Sequence, residues 1–203
     1  MTAPVDPAFD SGFDPGFDPA KGLFVGQDQR PAHLAVVRPD EMSPLQRALL
    51  VIDGTVTTFL SAWAMEPVVV QPLRQAALVL PSAADWLDAP AGTRILERSV
   101  LLVGARSQTL FAFAESVICT DRLPLALRDG LLSGGSSLGQ LLLLPGFESR
   151  REGLWYGRER PETLPPAVAA LTAPDFLART YRVSASSRPL MLITERFPWA
   201  WRG

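Results

Sequence analysis

Three ionisable side chains fall where strand periodicity calls for apolar ones. Side chains alternate across a strand, so positions of equal parity share a face. In the run near the C-terminus, Met191, Ile193, Glu195 and Phe197 form one row, which sets Glu195 among apolar neighbours. Leu96, Val100 and Leu102 surround Arg98 in the same way, and Phe111, Phe113 and Val117 surround Glu115. Burying an unpaired charge is costly, so such groups are paired, neutralised or put to use. Two readings follow. In the first, Arg98 pairs with Glu195 or Glu115 and fills the sheet. In the second, the charges line a pocket. Arg98 would then offer a planar fork to a carboxylate, each charge-assisted hydrogen bond contributing about 1.5–3 kcal/mol. A desolvated Glu195 would have a raised pKa and could act as a general acid.

The Gly/Ser run from Ser133 to Gly139 adds a third element. Such a run is ordinarily a surface loop; at a helix start its free N–H groups can bind a carboxylate. It has neither the spacing nor the Lys of a phosphate-binding loop, and the chain contains no dinucleotide fingerprint.

The elements that must position these groups are mostly strands. Val68 to Val79 reads as a strand whose Pro72 marks an edge or a bulge. Thr93 to Val103 and Thr109 to Thr120 read as a hairpin across Gly104–Gln108. Leu177 to Ser184 and Leu190 to Phe197 form a closing hairpin, and Phe147 to Tyr156 is a strand or an irregular segment. Helices are fewer. One starts at Ser43-Pro44, an N-cap followed by Pro in the first turn, and stops at Asp53-Gly54. Others are expected over 56–64 and 122–132, with a short one from Leu138 to Leu144, while 160–175 is Pro-rich and aperiodic. Hairpin-length links imply antiparallel pairing. The fold class is α+β, a single mainly antiparallel β-sheet with helices on one face.

Residues 1–42 differ in kind. Asp6-Pro7-Ala8-Phe9, Asp10-Ser11-Gly12-Phe13 and Asp14-Pro15-Gly16-Phe17 are degenerate four-residue repeats. Pro and Gly this dense sustain neither a helix nor a central strand, so 1–42 is read as a flexible tail and 43–203 as the folded domain. A net charge of -2 argues against a general nucleic-acid binder. Cys119 is the only cysteine and His33 the only histidine, which leaves no disulfide and no His/Cys metal site. Cys119 is expected as a buried strand thiol. No signal peptide and no apolar run of spanning length is visible, so the default location is the cytoplasm, without a membrane partner.

Several segments, taken in order, resemble the chorismate pyruvate-lyase family in its actinobacterial-type branch. They are Ile52-Asp53-Gly54-Thr55-Val56-Thr57, Glu97-Arg98-Ser99-Val100-Leu101-Leu102, Ala114-Glu115-Ser116-Val117-Ile118, Asp121-Arg122-Leu123-Pro124, Ser137-Leu138-Gly139, Ala178-Arg179-Thr180-Tyr181-Arg182-Val183 and Pro189 to Phe197. The resemblance spans about 43–198 and rests on order and spacing rather than on one motif. It implies an enclosed aromatic-acid pocket and conversion of chorismate to 4-hydroxybenzoate and pyruvate, with no metal or organic cofactor and a monomer as the default. It places the carboxylate-binding Arg on Arg98, the Glu at the ring-hydroxyl end on Glu195, and backbone contacts on Leu138 and near Thr55. It assigns no role to Glu115, which would tune the pocket or balance Arg98. Two alternatives remain at this point. One is a non-catalytic aromatic-acid sensor, since some bacterial regulators carry this fold behind a DNA-binding helix-turn-helix, although 1–42 contains no such helices. The other is a lyase-fold enzyme of specialised metabolism with a different cyclic substrate.

Overall fold

Strand and helix signals map closely onto the observed elements. The computed structural model describes residues 16–132, 138–142 and 145–200. Seven strands form one sheet: β1 (Leu34–Ala35), β2 (Val68–Val79), β3 (Arg94–Gly104), β4 (Leu110–Cys119), β5 (Arg150–Glu159), β6 (Phe176–Ala185) and β7 (Arg188–Pro198). Their order is β1-β5-β6-β7-β4-β3-β2, and every strand pair is antiparallel. The helices are α1 (Pro44–Val51), α2 (Val56–Ala64), α3 (Leu125–Leu132), α4 (Leu138–Leu141) and α5 (Pro166–Ala169). The α+β class with a single antiparallel sheet is as expected. The register of β2 against β3 shifts between Pro72 and Arg74, at the proline that signals a bulge in the sequence.

Helix starts follow their caps. Ser43 accepts from the Gln46 N–H while the Gln46 side chain accepts from the Ser43 N–H, a capping box with Pro44 in the first turn. The turn Ile52-Asp53-Gly54 then leads into α2, whose N-cap Thr55 makes no side-chain capping bond.

The cross-strand register sorts one face of the sheet into four rows. Leu96, Ile118, Met191 and Val183 stand opposite one another, then Arg98, Ser116, Ile193 and Tyr181, then Val100, Ala114, Glu195 and Arg179. The outermost row carries Leu102, Ala112, Phe197 and Leu177. The first row packs under Leu127, Leu131 and Leu142 from the α3–α4 side. The last packs under Leu49, Leu50, Val56 and Leu60 of α1 and α2. The helices therefore close both ends of this face and leave the polar middle rows between two apolar clusters.

The opposite face is not bare, which refines the expectation of helices on one side. Val168 of α5 packs on Leu101, Val103 and Phe113, and Leu87 of a short turn packs on Ile95 and Cys119. Cys119 is the buried thiol expected, and burial pushes its pKa up.

The expected tail falls partly on residues 1–15, outside the described residues. Its remainder, 16–42, is laid against the domain rather than free of it. Leu34 and Ala35 pair with Glu159 and Arg158, and Phe24 bridges Gly153. Ala20, Leu34, Val37 and Met42 are buried, and the Phe24 and Tyr156 rings lie 4.8 Å apart. An uncovered β5 would present a row of unpaired backbone groups, which this segment satisfies. Gly153 admits it: a Cβ there would lie 2.6 Å from the Leu23 carbonyl oxygen.

Candidate active site

The two polar rows floor a cavity of about 620 Å³, part of it open to solvent, roofed by the start of α2 and by α4. The β4 side chains turned toward this floor are Ala114 and Ser116, whose small size leaves room between the flanking strands. Arg98 stands at one side on β3 and Glu195 at the other on β7, each about 5–6% exposed. Two strand spacings and two residues along the strand put their backbones roughly 12 Å apart. Side chains reaching inward narrow that span toward the size of one substituted ring. The reading in which Arg98 pairs with Glu195 or Glu115 is not what the sheet builds.

Glu195 has other partners. Arg179, directly across the β6–β7 ladder, donates from Nε to its Oε2 at 2.9 Å. The Tyr181 hydroxyl donates to its Oε1 at 3.2 Å. Each oxygen keeps acceptor capacity for the cavity. A guanidinium and a phenol both donate here, so Glu195 is the acceptor toward each of them, where its apolar row led to the expectation of a general acid. That expectation left out Arg179, which shares the face. Arg179 also donates from Nη1 to the Leu50 and Ile52 carbonyls, at 3.3 and 3.0 Å. One side chain thus ties Glu195 to the turn between α1 and α2. Burial, and then the charge of Glu195, pushes the Tyr181 phenol far above its usual range, so it remains a donor.

Burial holds the Arg98 guanidinium below its ordinary pKa. A desolvated cation at a cavity wall suits an anionic ligand. Ser116 donates its hydroxyl to the Arg98 main-chain carbonyl at 3.4 Å, in the floor beside it.

Thr55 and Leu138 both line the cavity. With no side chain capping α2, the N–H groups of its first turn lack intrahelical acceptors, and the positive end of the helix faces the cavity. Gly139 brings α4 close: a Cβ there would lie 2.8 Å from Thr55 Cγ2. The Ser133–Ser137 loop lies outside the described residues. Glu115 borders the cavity between Ala114 and Ser116, but the register turns its side chain to the opposite face. There it is 51% exposed and pairs with Arg196 at 2.7 Å. It does not join Arg98 and Glu195.

The sequence reading passed over Arg179, Tyr181 and Arg151, all of which surround the site. Arg179 and Tyr181 carried the same signal as Arg98, since they alternate with Leu177 and Val183 in one row.

Comparison with known proteins agrees with this architecture. The family model described as "Chorismate pyruvate-lyase Rv2949c-like" matches residues 50–202. A chorismate pyruvate-lyase of Mycobacterium tuberculosis (strain CDC 1551 / Oshkosh) is 32% identical over 156 residues, covering 74% of this chain and 78% of that protein. One of Mycobacterium leprae is 32% identical over 158 residues, covering 74% and 72%. Among solved structures, a putative regulator from Escherichia coli CFT073 superposes with a TM-score of 0.51 at 12% identity, over 64% of this chain and 95% of that one. The effector domain of PhnF from Mycobacterium smegmatis gives a TM-score of 0.50 at 13% identity, over 71% and 88%. At such identities the two structures share the fold alone.

Proposed function

The chain belongs to the Rv2949c-like chorismate pyruvate-lyase family, and from that premise we propose how its pocket turns chorismate into pyruvate and 4-hydroxybenzoate. The chain is a carbon–oxygen lyase of this family; the residue roles and the product are our reading. Arg98 holds the ring carboxylate, aided by main-chain N–H groups at Thr55 and Leu138. Glu195 faces the far side of the ring. It accepts a hydrogen bond from the ring hydroxyl and takes the proton from the carbon that bears it. The electrons of that C–H bond become the third ring double bond. The adjacent carbon–oxygen bond to the enolpyruvyl group breaks, and the oxygen leaves as the enolate of pyruvate, which is protonated and ketonises. Aromatisation supplies much of the driving force, so orientation and exclusion of water are the main tasks left to the protein. Arg179, donating to Glu195, holds that carboxyl group in place.

The observation that carries this reading is the pair of polar rows set between two apolar clusters, with a cation and an anion on either side of a ring-sized gap floored by Ala114 and Ser116. The test is incubation of the purified protein with chorismate and chromatographic identification of the products. Equimolar pyruvate and 4-hydroxybenzoate are expected. Tight binding of 4-hydroxybenzoate with no turnover would make the chain a sensor, and a different hydroxybenzoate would overturn the assigned ring orientation.

A further inference from the structure

We infer that Arg151 binds the second carboxylate of the substrate, the one on the enolpyruvyl group, and so separates substrate from aromatic product. The inference rests on the chorismate reading above. Chorismate carries two carboxylates and 4-hydroxybenzoate only one, so a site with a single cation would hold the product as well as it holds the substrate.

Two arginines, Arg98 and Arg151, line the cavity, and a third, Arg179, stands behind its Glu195. Arg98 is assigned to the ring carboxylate. Arg179 is committed to Glu195 and to the carbonyls of Leu50 and Ile52. Arg151 lines the cavity from β5, opposite Val183 on the face that carries Tyr181. Its Nε is buried and has no hydrogen-bond partner among the described residues. Among the described residues its Nη1 finds only the Asp53 Oδ1, at 3.9 Å, and the Asp53 side chain is 80% exposed. A pair so long and so wet is weak, whereas a buried donor without an acceptor carries a desolvation penalty that an arriving carboxylate would relieve.

The strand order arranges these groups in the sequence the substrate requires. Across the sheet come Arg98 on β3, the small residues of β4, Glu195 on β7, Tyr181 on β6 and Arg151 on β5. The ring carboxylate, the ring, its hydroxyl and ether side, and the enolpyruvyl carboxylate follow in the same order. Arg151 also offsets the repulsion that Glu195 would exert on a second anion beside it.

The test is steady-state kinetics of R151M and R151K on chorismate, together with the inhibition constant of 4-hydroxybenzoate. R151M should raise the KM for chorismate at least tenfold and leave the affinity for 4-hydroxybenzoate within twofold. R151K should fall between R151M and wild type. The unaltered product affinity also reports that the variant is folded; if R151M does not fold, R151K reads the same split. An unchanged KM, or a loss of product affinity in parallel with KM, overturns the assignment. Wild-type protein without turnover would instead overturn the chorismate reading itself, so the two failures are distinguishable.

Discussion

Replacing Arg179 by Met removes a guanidinium and retains most of its length and volume. The structure sets the cost. Arg179 and Glu195 are 7% and 8% exposed at their side chains and meet at 2.9 Å. Without Arg179, Glu195 would keep, among the described residues, the Tyr181 donor alone, and the Leu50 and Ile52 carbonyls would lose the Nη1 hydrogen bonds. Breaking a buried ion pair by removing one partner costs about 3–5 kcal/mol. Against a total stability of about 5–15 kcal/mol, that is a large fraction. With a urea slope of about 1–3 kcal/mol per molar, the unfolding midpoint should fall by more than about 1 M. The double variant R179M/E195Q removes the stranded charge along with its partner. Its loss should therefore be smaller than the sum of the single losses by about 0.5–3 kcal/mol. Urea unfolding of the four proteins in the cycle measures both quantities. A cost below about 1 kcal/mol for R179M, or strict additivity in the cycle, would show that Arg179 does not hold Glu195 as described.

Three further substitutions address the pocket. Arg98→Ala should weaken 4-hydroxybenzoate binding at least tenfold, about 1.4 kcal/mol, by calorimetry, and unchanged affinity would remove Arg98 from the ligand. Glu195→Gln should lower kcat by roughly 10²–10⁴-fold while affecting product affinity far less, the range typical of a lost acid–base group. Turnover within threefold of wild type would leave positioning and desolvation as the whole of catalysis. Ala114→Leu should fill the floor between Arg98 and Glu195 and abolish product binding in a protein that still unfolds cooperatively. Retained binding would place the ligand elsewhere.

Parity located Arg98 and Glu195 because the strand period of two holds from Leu96 to Leu102 in β3 and from Met191 to Phe197 in β7. It could not say that Glu115 faces the other way. Both faces of this sheet carry apolar clusters at their ends, so an apolar neighbourhood does not identify the inner face. The pairing of Arg179 with Glu195 was hidden by a single irregularity. At the β6–β7 turn Ala185 faces Arg188 and Ser184 faces Pro189, a register that would carry Arg179 to Thr194. The shift between Val183 and Ser184 moves the pairing by one residue and sets Arg179 against Glu195 instead. Arg151 was obscure for a similar reason, since β5 breaks register between Gly153 and Trp155 and its alternation reads poorly. The docking of 16–42 was masked by composition. Its Pro and Gly prevent long elements, but not a two-residue strand or a bridge closing the edge of β5.

The central claim is that one ring is held between Arg98 and Glu195. A crystal structure with 4-hydroxybenzoate bound tests it most directly. The carboxylate should lie on the Arg98 guanidinium and the hydroxyl on Glu195, with the ring over Ala114 and Ser116. A ring bound in the reverse sense, or one lying outside this cavity, would contradict the account.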